Sequence, residues 1–270
     1  MIGFSDTWLS LAIGNSRLHW AWFESNTLKQ IWETPHFSAE AIAPFIASPS
    51  HLSLSTQSFD LQDVVPPSLA SLLHQQPLLL IASVVPRQTT LWQTYPGAWF
   101  IRLEHIPLRG TYPTLGIDRA LVVWAALKTW NSSALVIDAG TALTFTGTDA
   151  QAYLVGGAIL PGLQLQLRSL TQTATLPFLN SQAIATPTRW ATSTADAIYS
   201  GILYTVLAGI RDFAEDWLKK FPESAIAFTG GDSTLLFSHL QLQFPDLATR
   251  IKVSPDLIFQ GIQAVKQQHF

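Results

Sequence analysis

The sequence predicts an α/β fold with two layered domains. The main support is a strand–glycine–strand pattern that occurs twice, with turns at Gly14 and Gly140, nearly half the chain apart. Between and after these turns, strand patterns alternate with helix patterns, which is typical of sheets covered by helices. The 270 residues, 48% of them hydrophobic, are enough to fill the cores of two domains.

In the first half, continuous or alternating apolar runs predict strands, and apolar residues at helical spacing predict helices. The first two strands are the arms of the Gly14 pattern. The predicted strands are Leu9–Ile13, Leu18–Phe23, Thr27–Thr34, Leu78–Val84 and Ala98–Leu103, and the predicted helices are Ala39–Ala47, Asp63–Leu73 and Gln88–Tyr95.

The second half follows a loop rich in proline and glycine. Ala120–Trp130 is predicted as a helix, because good helix formers there carry apolar residues at helical spacing. We place the domain boundary at this helix, with residues 1–117 and 118–270 each containing one of the two hairpins. The further predicted strands are Ala134–Ile137, Ala142–Thr146, Tyr153–Pro161 and Ala225–Phe228, and the further helices are Leu163–Thr171, Ser193–Leu218 and Asp256–Gln267.

Composition narrows the functional classes. A net charge of −3 gives no electrostatic reason to expect nucleic acid. The absence of cysteine excludes disulfides, zinc–thiolate sites and thiol nucleophiles. No segment has the length and apolar character of a membrane span, and no signal peptide is evident, so we expect a cytoplasmic protein. Low charge content, 12%, and ten tryptophans suggest extensive buried or subunit-contact surface.

The two hairpin turns are candidate phosphate-binding loops. A glycine at each turn lets backbone amides approach a phosphate closely, because no side chain blocks them. Asn15, Ser16 and Thr141 could add side-chain donors. Either turn alone is more typical of an ordinary hairpin, but two copies, each opening half of the chain, favour phosphate binding.

Asp138 ends the apolar run of the second hairpin. A carboxylate at the end of a buried strand is costly unless it is paired, hydrogen-bonded or bound to a metal. Capping of the local turn and use in a metal or active site both remain open. Gly230–Gly231 follows a strand, and it is either a simple turn or a loop that holds a nucleotide.

Asp118 lies in the sequence Gly116–Arg119 just before a predicted helix. Aspartate is common at helix starts, and Arg119 could simply neutralise it. The alternative is a general base, which would take a proton from an alcohol as the alcohol attacks a phosphoryl group. These four residues alone favour the helix-start interpretation.

Taken in order, these motifs resemble the type III pantothenate kinases, which belong to the acetate kinase/sugar kinase/Hsp70/actin superfamily. The resemblance covers nearly the whole chain, and its most specific parts are the Gly-x-Asp-Arg and Asp-x-Gly-Thr-Ala blocks. The matching segments are residues 14–16, 115–119, 137–144, 156–162, 193–201, 228–231 and 256–261.

The resemblance implies two ribonuclease H-like (actin-like ATPase) domains, with mixed sheets flanked by helices. It also implies ATP-dependent phosphorylation of pantothenate, the first step toward coenzyme A. A monovalent cation, K⁺ or NH₄⁺, would assist, Mg²⁺ would accompany ATP, and the enzyme would be a homodimer.

The resemblance further assigns residues. It implies that Asp118 is the general base and that Asp138 binds the monovalent cation. The implied pantothenate contacts are Tyr112, Gly116, Ile117, Asp118, Arg119 and Thr194. The implied ATP contacts are Ala12, Ile13, Gly14, Asn15, Ser16, Arg17, Thr141, Gly230 and Gly231.

Ala12 departs from the family pattern, which usually has aspartate there to contact the metal–phosphate unit. The enzyme could hold Mg²⁺ through water and ATP instead. Two alternatives stay open: a related kinase of the superfamily that acts on another small molecule, and a non-catalytic relative that binds ATP and pantothenate.

Overall fold

The computed structural model describes residues 7–46, 65–173 and 186–270. The strands are β1 (Thr7–Ile13), β2 (Leu18–Glu24), β3 (Thr27–Thr34), β4 (Leu78–Ser83), β5 (Ala98–Phe100), β6 (Ala134–Ala139), β7 (Ala142–Thr148), β8 (Leu154–Pro161), β9 (Ala225–Thr229) and β10 (Ile251–Val253). The helices are α1 (Ala39–Ile46), α2 (Pro67–His74), α3 (Pro86–Trp92), α4 (Ile117–Trp130), α5 (Leu163–Thr173), α6 (Thr194–Lys220), α7 (Ser233–Gln243), α8 (Pro245–Ala248) and α9 (Leu257–His269).

The chain divides into two compact units. The first unit contains the described residues up to Ile106, together with Gly116–Leu121 and Ile258–Phe270, so most of α9 returns to it. The second unit contains Pro107–Leu115 and the described residues of Val122–Leu257. A single cut between residues 117 and 118 stays a prediction, and in these units the chain passes from one unit to the other four times.

The first unit is built on a mixed sheet with the strand order β3-β2-β1-β4-β5. β1, β2 and β3 pair antiparallel, whereas β4 and β5 extend the sheet in parallel from β1. Large apolar side chains from this sheet and from α1, α2 and α3 form one core. Within it Trp20 packs edge-on against Trp92, and its indole Nε1 donates to Thr34 Oγ1 at 3.0 Å.

The second unit repeats this topology. Its strand order, β10-β9-β6-β7-β8, places the first hairpin strand at the centre, two antiparallel strands on one side and two parallel strands on the other. Its core lies between the sheet and the helices α5, α6 and α7. The repeat in the sequence therefore corresponds to a repeat of the sheet, and the predicted α/β class with mixed sheets flanked by helices is confirmed.

Most predicted elements are present, and the differences are local. Ala98–Leu103 was expected to be one strand, but β5 ends at Phe100 because Leu103–His105 forms a 3₁₀ turn. The strand β10 and the short helix α8 were not predicted, since three or four residues are too few to show a periodic pattern. Asp63 and the residue after it, at the start of one predicted helix, lie outside the described residues, and α2 begins at Pro67. In the part of the chain that the structure describes, no helix is long and apolar enough to cross a membrane.

Candidate active site

The second hairpin turn sits at the carboxyl end of the central strand β6. Gly140 and Thr141 form the turn, and Gly140 N donates to Ala142 O at 3.0 Å. Asp138, two residues before the glycine, is partly buried and pairs with Thr144 across the hairpin and with Thr229 on the other side. The central strand thus places a carboxylate at its carboxyl end, beside the hairpin turn.

Two further turns are tied to this hairpin by backbone hydrogen bonds. Gly162 N, just before α5, donates to Thr141 O at 2.9 Å, and Asp232 N, just before α7, donates to Ala139 O at 2.9 Å. Gly162 lies so close to the hairpin that a Cβ there would collide with the carbonyl oxygen of Gly140. The turns that precede α5 and α7 therefore flank the Gly140 turn.

Gly230 closes the group. Its φ of +90° belongs to the region that favours glycine, and a Cβ there would strike the carboxylate oxygen Oδ1 of Asp138 and come within 2.6 Å of the Ala139 carbonyl carbon. Gly231 follows it in an exposed position. The structure thus brings together Asp138, Thr141 and Gly230, three of the residues that the sequence predicts for the site.

Three residues that the sequence analysis missed lie beside this group. Asp232 holds the N-cap position of α7 without capping it, and its side chain instead bonds to Gln164. Burial raises the pKa of Asp232, with the Gln164 bond acting in the opposite direction. Burial and the charge of Asp232 raise the pKa of Tyr199, a residue with no solvent exposure. The sequence could have indicated Asp232, because it directly follows Gly230–Gly231. Gln164 and Tyr199 come close to the site only through tertiary packing.

The first hairpin turn has a different chemical character. Gly14 N donates to Arg17 O at 3.1 Å, and Gly14 O accepts from His36 Nε2 at 2.8 Å. Hydrogen bonds therefore hold both the backbone N–H and the backbone C=O of Gly14. Asn15, Ser16 and Arg17 are exposed. Ala12 is buried on β1, where it faces His19 across the hairpin and Ala82 on β4.

Asp118 lies in the first turn of α4, which begins at Ile117, three residues earlier than predicted. Its Oδ1 accepts from Arg119 N at 2.8 Å. Burial raises the pKa of this carboxyl group, although the hydrogen bond and the charge of the buried Arg119 oppose the shift. A carboxylate with a raised pKa is a better proton acceptor than an exposed one, which is a property that a general base would use.

The remaining predicted pantothenate contacts are Tyr112 and Thr194. Tyr112 is 41% exposed in the loop before α4, and its carbonyl accepts from Leu115 N at 2.9 Å. Thr194 is exposed at the start of α6, directly after Ser193, whose Oγ accepts from Asp196 N and caps the helix. Both belong to the second unit, whereas Gly116–Arg119 belongs to the first.

An ATP-dependent phosphotransferase is the class of protein indicated by two repeats of one mixed sheet, a glycine hairpin at the centre of each, and a partly buried aspartate at a helix start. Comparison with known proteins gives the family. The family model for type III pantothenate kinase matches residues 8–216. A type III pantothenate kinase of a Nostoc species is 47% identical over 96% of this chain and 94% of its own length, and that of a Synechocystis species is 40% identical over 96% and 90%. The chain belongs to the type III pantothenate kinase family.

Family membership confirms the predicted class of enzyme: a kinase that uses ATP and pantothenate, at the first step of coenzyme A biosynthesis. Among solved structures, a Baf family protein of Campylobacter jejuni is similar, with a TM-score of 0.60, 19% identity, and coverage of 97% of this chain and 98% of that one. This likeness concerns the fold alone. The predicted α/β class, with mixed sheets flanked by helices, is confirmed in each of the two units.

Proposed function

We propose that the chain phosphorylates pantothenate with Asp118 as the general base. Asp118 takes the proton of the primary hydroxyl of pantothenate. The hydroxyl oxygen attacks the γ-phosphorus of ATP, and ADP leaves. The observation that carries this proposal is the partly buried carboxylate at the start of α4, fixed by the Arg119 amide and with a raised pKa. Gly116, Ile117 and Arg119 then position pantothenate around the attacking hydroxyl.

Tyr112 and Thr194 complete the proposed substrate contacts. The exposure of Tyr112 leaves its ring accessible to a ligand. The hydroxyl of Thr194 stands at a helix start, where backbone N–H groups favour a negatively charged group such as the pantothenate carboxylate.

We assign the ATP phosphates to the two hairpin turns. The first turn, from Ala12 to Arg17, offers backbone amides and the side chains of Asn15 and Ser16. The second offers Thr141, with Gly230 and Gly231 beside it. Mg²⁺ would arrive with ATP and be held by phosphate oxygens and at most one or two side chains. Among residues 7–46, 65–173 and 186–270, no group of three or more His, Asp or Glu side chains could hold a metal ion.

Asp138 is our proposed ligand for the monovalent cation, K⁺ or NH₄⁺. The oxygen donors around it fit such an ion. Thr144 faces Asp138 across the hairpin, and its buried Oγ1 has no hydrogen-bond partner in the described residues. A carboxylate beside a hydroxyl oxygen without a partner suits a hard cation of single charge.

We also propose that the enzyme is a cytoplasmic homodimer. Its second unit exposes large apolar side chains, among them Ile159 at 64% and Trp190 at 88%. Exposed apolar surface of this kind is common where subunits meet. Light scattering on the purified chain should give twice the mass of 29.7 kDa, and a monomer at micromolar concentration would contradict the proposal.

One coupled assay tests the activity. ADP production from ATP and pantothenate is followed with and without potassium chloride, beside the Asp118→Asn variant. We expect turnover that rises with potassium in the wild type, and retained binding with most turnover lost in the variant. Full activity of Asp118→Asn would exclude this residue as the base.

Ala12 is the reason to test a second function, that of a non-catalytic protein that binds ATP and pantothenate. The buried alanine offers no carboxylate to a metal–phosphate unit. Saturable binding of ATP and pantothenate without phosphopantothenate would support it. Turnover of a different alcohol in a substrate screen would instead support a related small-molecule kinase.

A further inference from the structure

His19 stands where the first hairpin departs from the family pattern. It pairs with Ala12 directly across β1 and β2. Residues paired in this way point to the same face of a sheet, with Cβ atoms about 4.5–5.5 Å apart. The small side chain of Ala12 therefore leaves space beside the imidazole ring.

The ring of His19 is held from one side and faces the phosphate turn on the other. Glu33, its partner on β3, places Oε1 3.2 Å from His19 Nδ1. On the opposite edge, Nε2 lies 3.8 Å from the point where a Cβ of Gly14 would stand. A carboxylate on Nδ1 fixes the orientation of an imidazole and leaves Nε2 to act on a ligand.

We propose that His19, oriented by Glu33, donates a hydrogen bond from Nε2 to a phosphate oxygen of bound ATP. This inference rests on the proposed function, in which the turn from Gly14 to Arg17 holds those phosphates. Nδ1–H donates to Glu33 and Nε2–H to phosphate, so the imidazolium lies between two anions, and charge-assisted hydrogen bonds of this kind are strong.

The groups around the ring act on its charge in opposite directions. In the ligand-free protein burial lowers the pKa of His19, with Glu33 opposing and Arg17 adding to the shift. A phosphate beside Nε2 acts in the same direction as Glu33 and favours the cation. A carboxylate at position 12 would instead stand beside the ring and compete with phosphate for it, so Ala12 and His19 suit each other.

The test measures the binding of a non-hydrolysable ATP analogue, AMP-PNP, by titration calorimetry. His19→Ala should weaken binding about tenfold, the scale of one lost charge-assisted hydrogen bond. Glu33→Gln keeps an acceptor for Nδ1 and should lose less than His19→Ala. His74→Gln, on the exposed surface of α2, is the matched control and should bind like the wild type. The affinity for pantothenate should be the same in His19→Ala as in the wild type.

Equal AMP-PNP affinity of His19→Ala and wild type would overturn the inference, whether or not the wild type phosphorylates pantothenate. A divalent ion provides a second discrimination. If His19 contacts phosphate directly, the affinity ratio of wild type to His19→Ala persists in EDTA. If that ratio falls to one without the metal, His19 acts on the ion and the phosphate contact is wrong. A wild type that binds AMP-PNP but turns over no pantothenate refutes only the proposed function.

Discussion

Gly230 offers the sharpest test of the second hairpin, because the chain supplies its own control one residue away. Gly230 has a φ of +90° and no room for a side chain, whereas Gly231 has nothing within 4 Å of its Cβ position. Each of the two glycines is replaced by alanine in a separate variant. Both residues are predicted ATP contacts, so any difference between the variants comes from geometry and not from the type of residue.

The magnitude follows from two costs at Gly230. An L-residue at this φ is strained by about 1–3 kcal/mol. A methyl group 2.6 Å from Ala139 C and 2.7 Å from Ala139 N, and against the carboxylate of Asp138, adds about 1–3 kcal/mol of overpacking. The lower entropy of the unfolded alanine chain returns about 0.4–1 kcal/mol. We therefore expect Gly230→Ala to lose about 1–6 kcal/mol of folding stability, and Gly231→Ala to stay within about 1 kcal/mol of the wild type.

Thermal unfolding measures this difference. For a unit of this size, 1 kcal/mol corresponds to about 2–4 °C in Tm, so Gly230→Ala should melt about 2–24 °C lower. The added methyl group displaces the carboxylate of Asp138, so the variant should also respond less to potassium in the kinase assay. Equal Tm values for the two variants would refute the contact between Gly230 and Asp138.

Three further predictions concern single side chains. Asp118→Asn should lower kcat by about 100-fold or more. It should also raise Tm at pH 8, because burial raises the pKa of Asp118 in the folded protein and ionising the carboxyl group there costs stability. This cost grows as the pH rises above the pKa of the unfolded chain, so the gain in Tm should vanish near pH 4. Asp138→Asn should abolish the rise in kcat on adding potassium chloride, while a potassium response equal to the wild type's would remove Asp138 from the cation site. Ser224→Ala should cost about 1–3 kcal/mol in urea unfolding, since Trp217 Nε1 donates to Ser224 Oγ at 2.8 Å in the core, and the exposed Ser238→Ala should cost less than about 0.5 kcal/mol.

The strands of both sheets could be predicted because each carries its own signal. The hairpin arms are long apolar or alternating runs, and the glycine turn between them marks where one ends and the next begins. The strand order could not be predicted, because the sequence repeat shows only the two hairpins and not the strands that pair beside them. In the structure the two sheets have the same order. β10 and α8 escaped prediction because pairing and packing, not local pattern, define such short elements.

The return of α9 to the first unit could not be predicted either. Its sequence indicates a helix and nothing about its partner. The structure shows Gly261 against the carbonyl of Leu121 on α4 and Gln263 Nε2 donating to Asn26 O. Such contacts join residues that are far apart in the sequence, so they appear only after the fold has formed.

The candidate site shows the same division. Asp138 and Gly230 could be identified as motif residues, but their contact depends on the parallel pairing of β6 with β9. Asp118 was ambiguous in sequence, because a helix-start aspartate and a general base share one pattern. Its partial burial and the resulting rise in its pKa motivate our proposal of a general base, and both depend on the surrounding fold.

The repeated topology also explains how two equivalent strand positions come to have different proposed ligands. Ala12 and Asp138 each lie two residues before the hairpin glycine on a central strand, and the sheet gives each one antiparallel and one parallel neighbour. Around Asp138 the neighbours are Thr144 and Thr229, so oxygen atoms collect and a cation is favoured. Around Ala12 they are His19 and Ala82, so no carboxylate is present, and the imidazole beside position 12 can offer the N–H that our proposed phosphate contact requires. The backbone repeat fixes where these side chains stand, and a few substitutions change the chemical groups that each strand position offers.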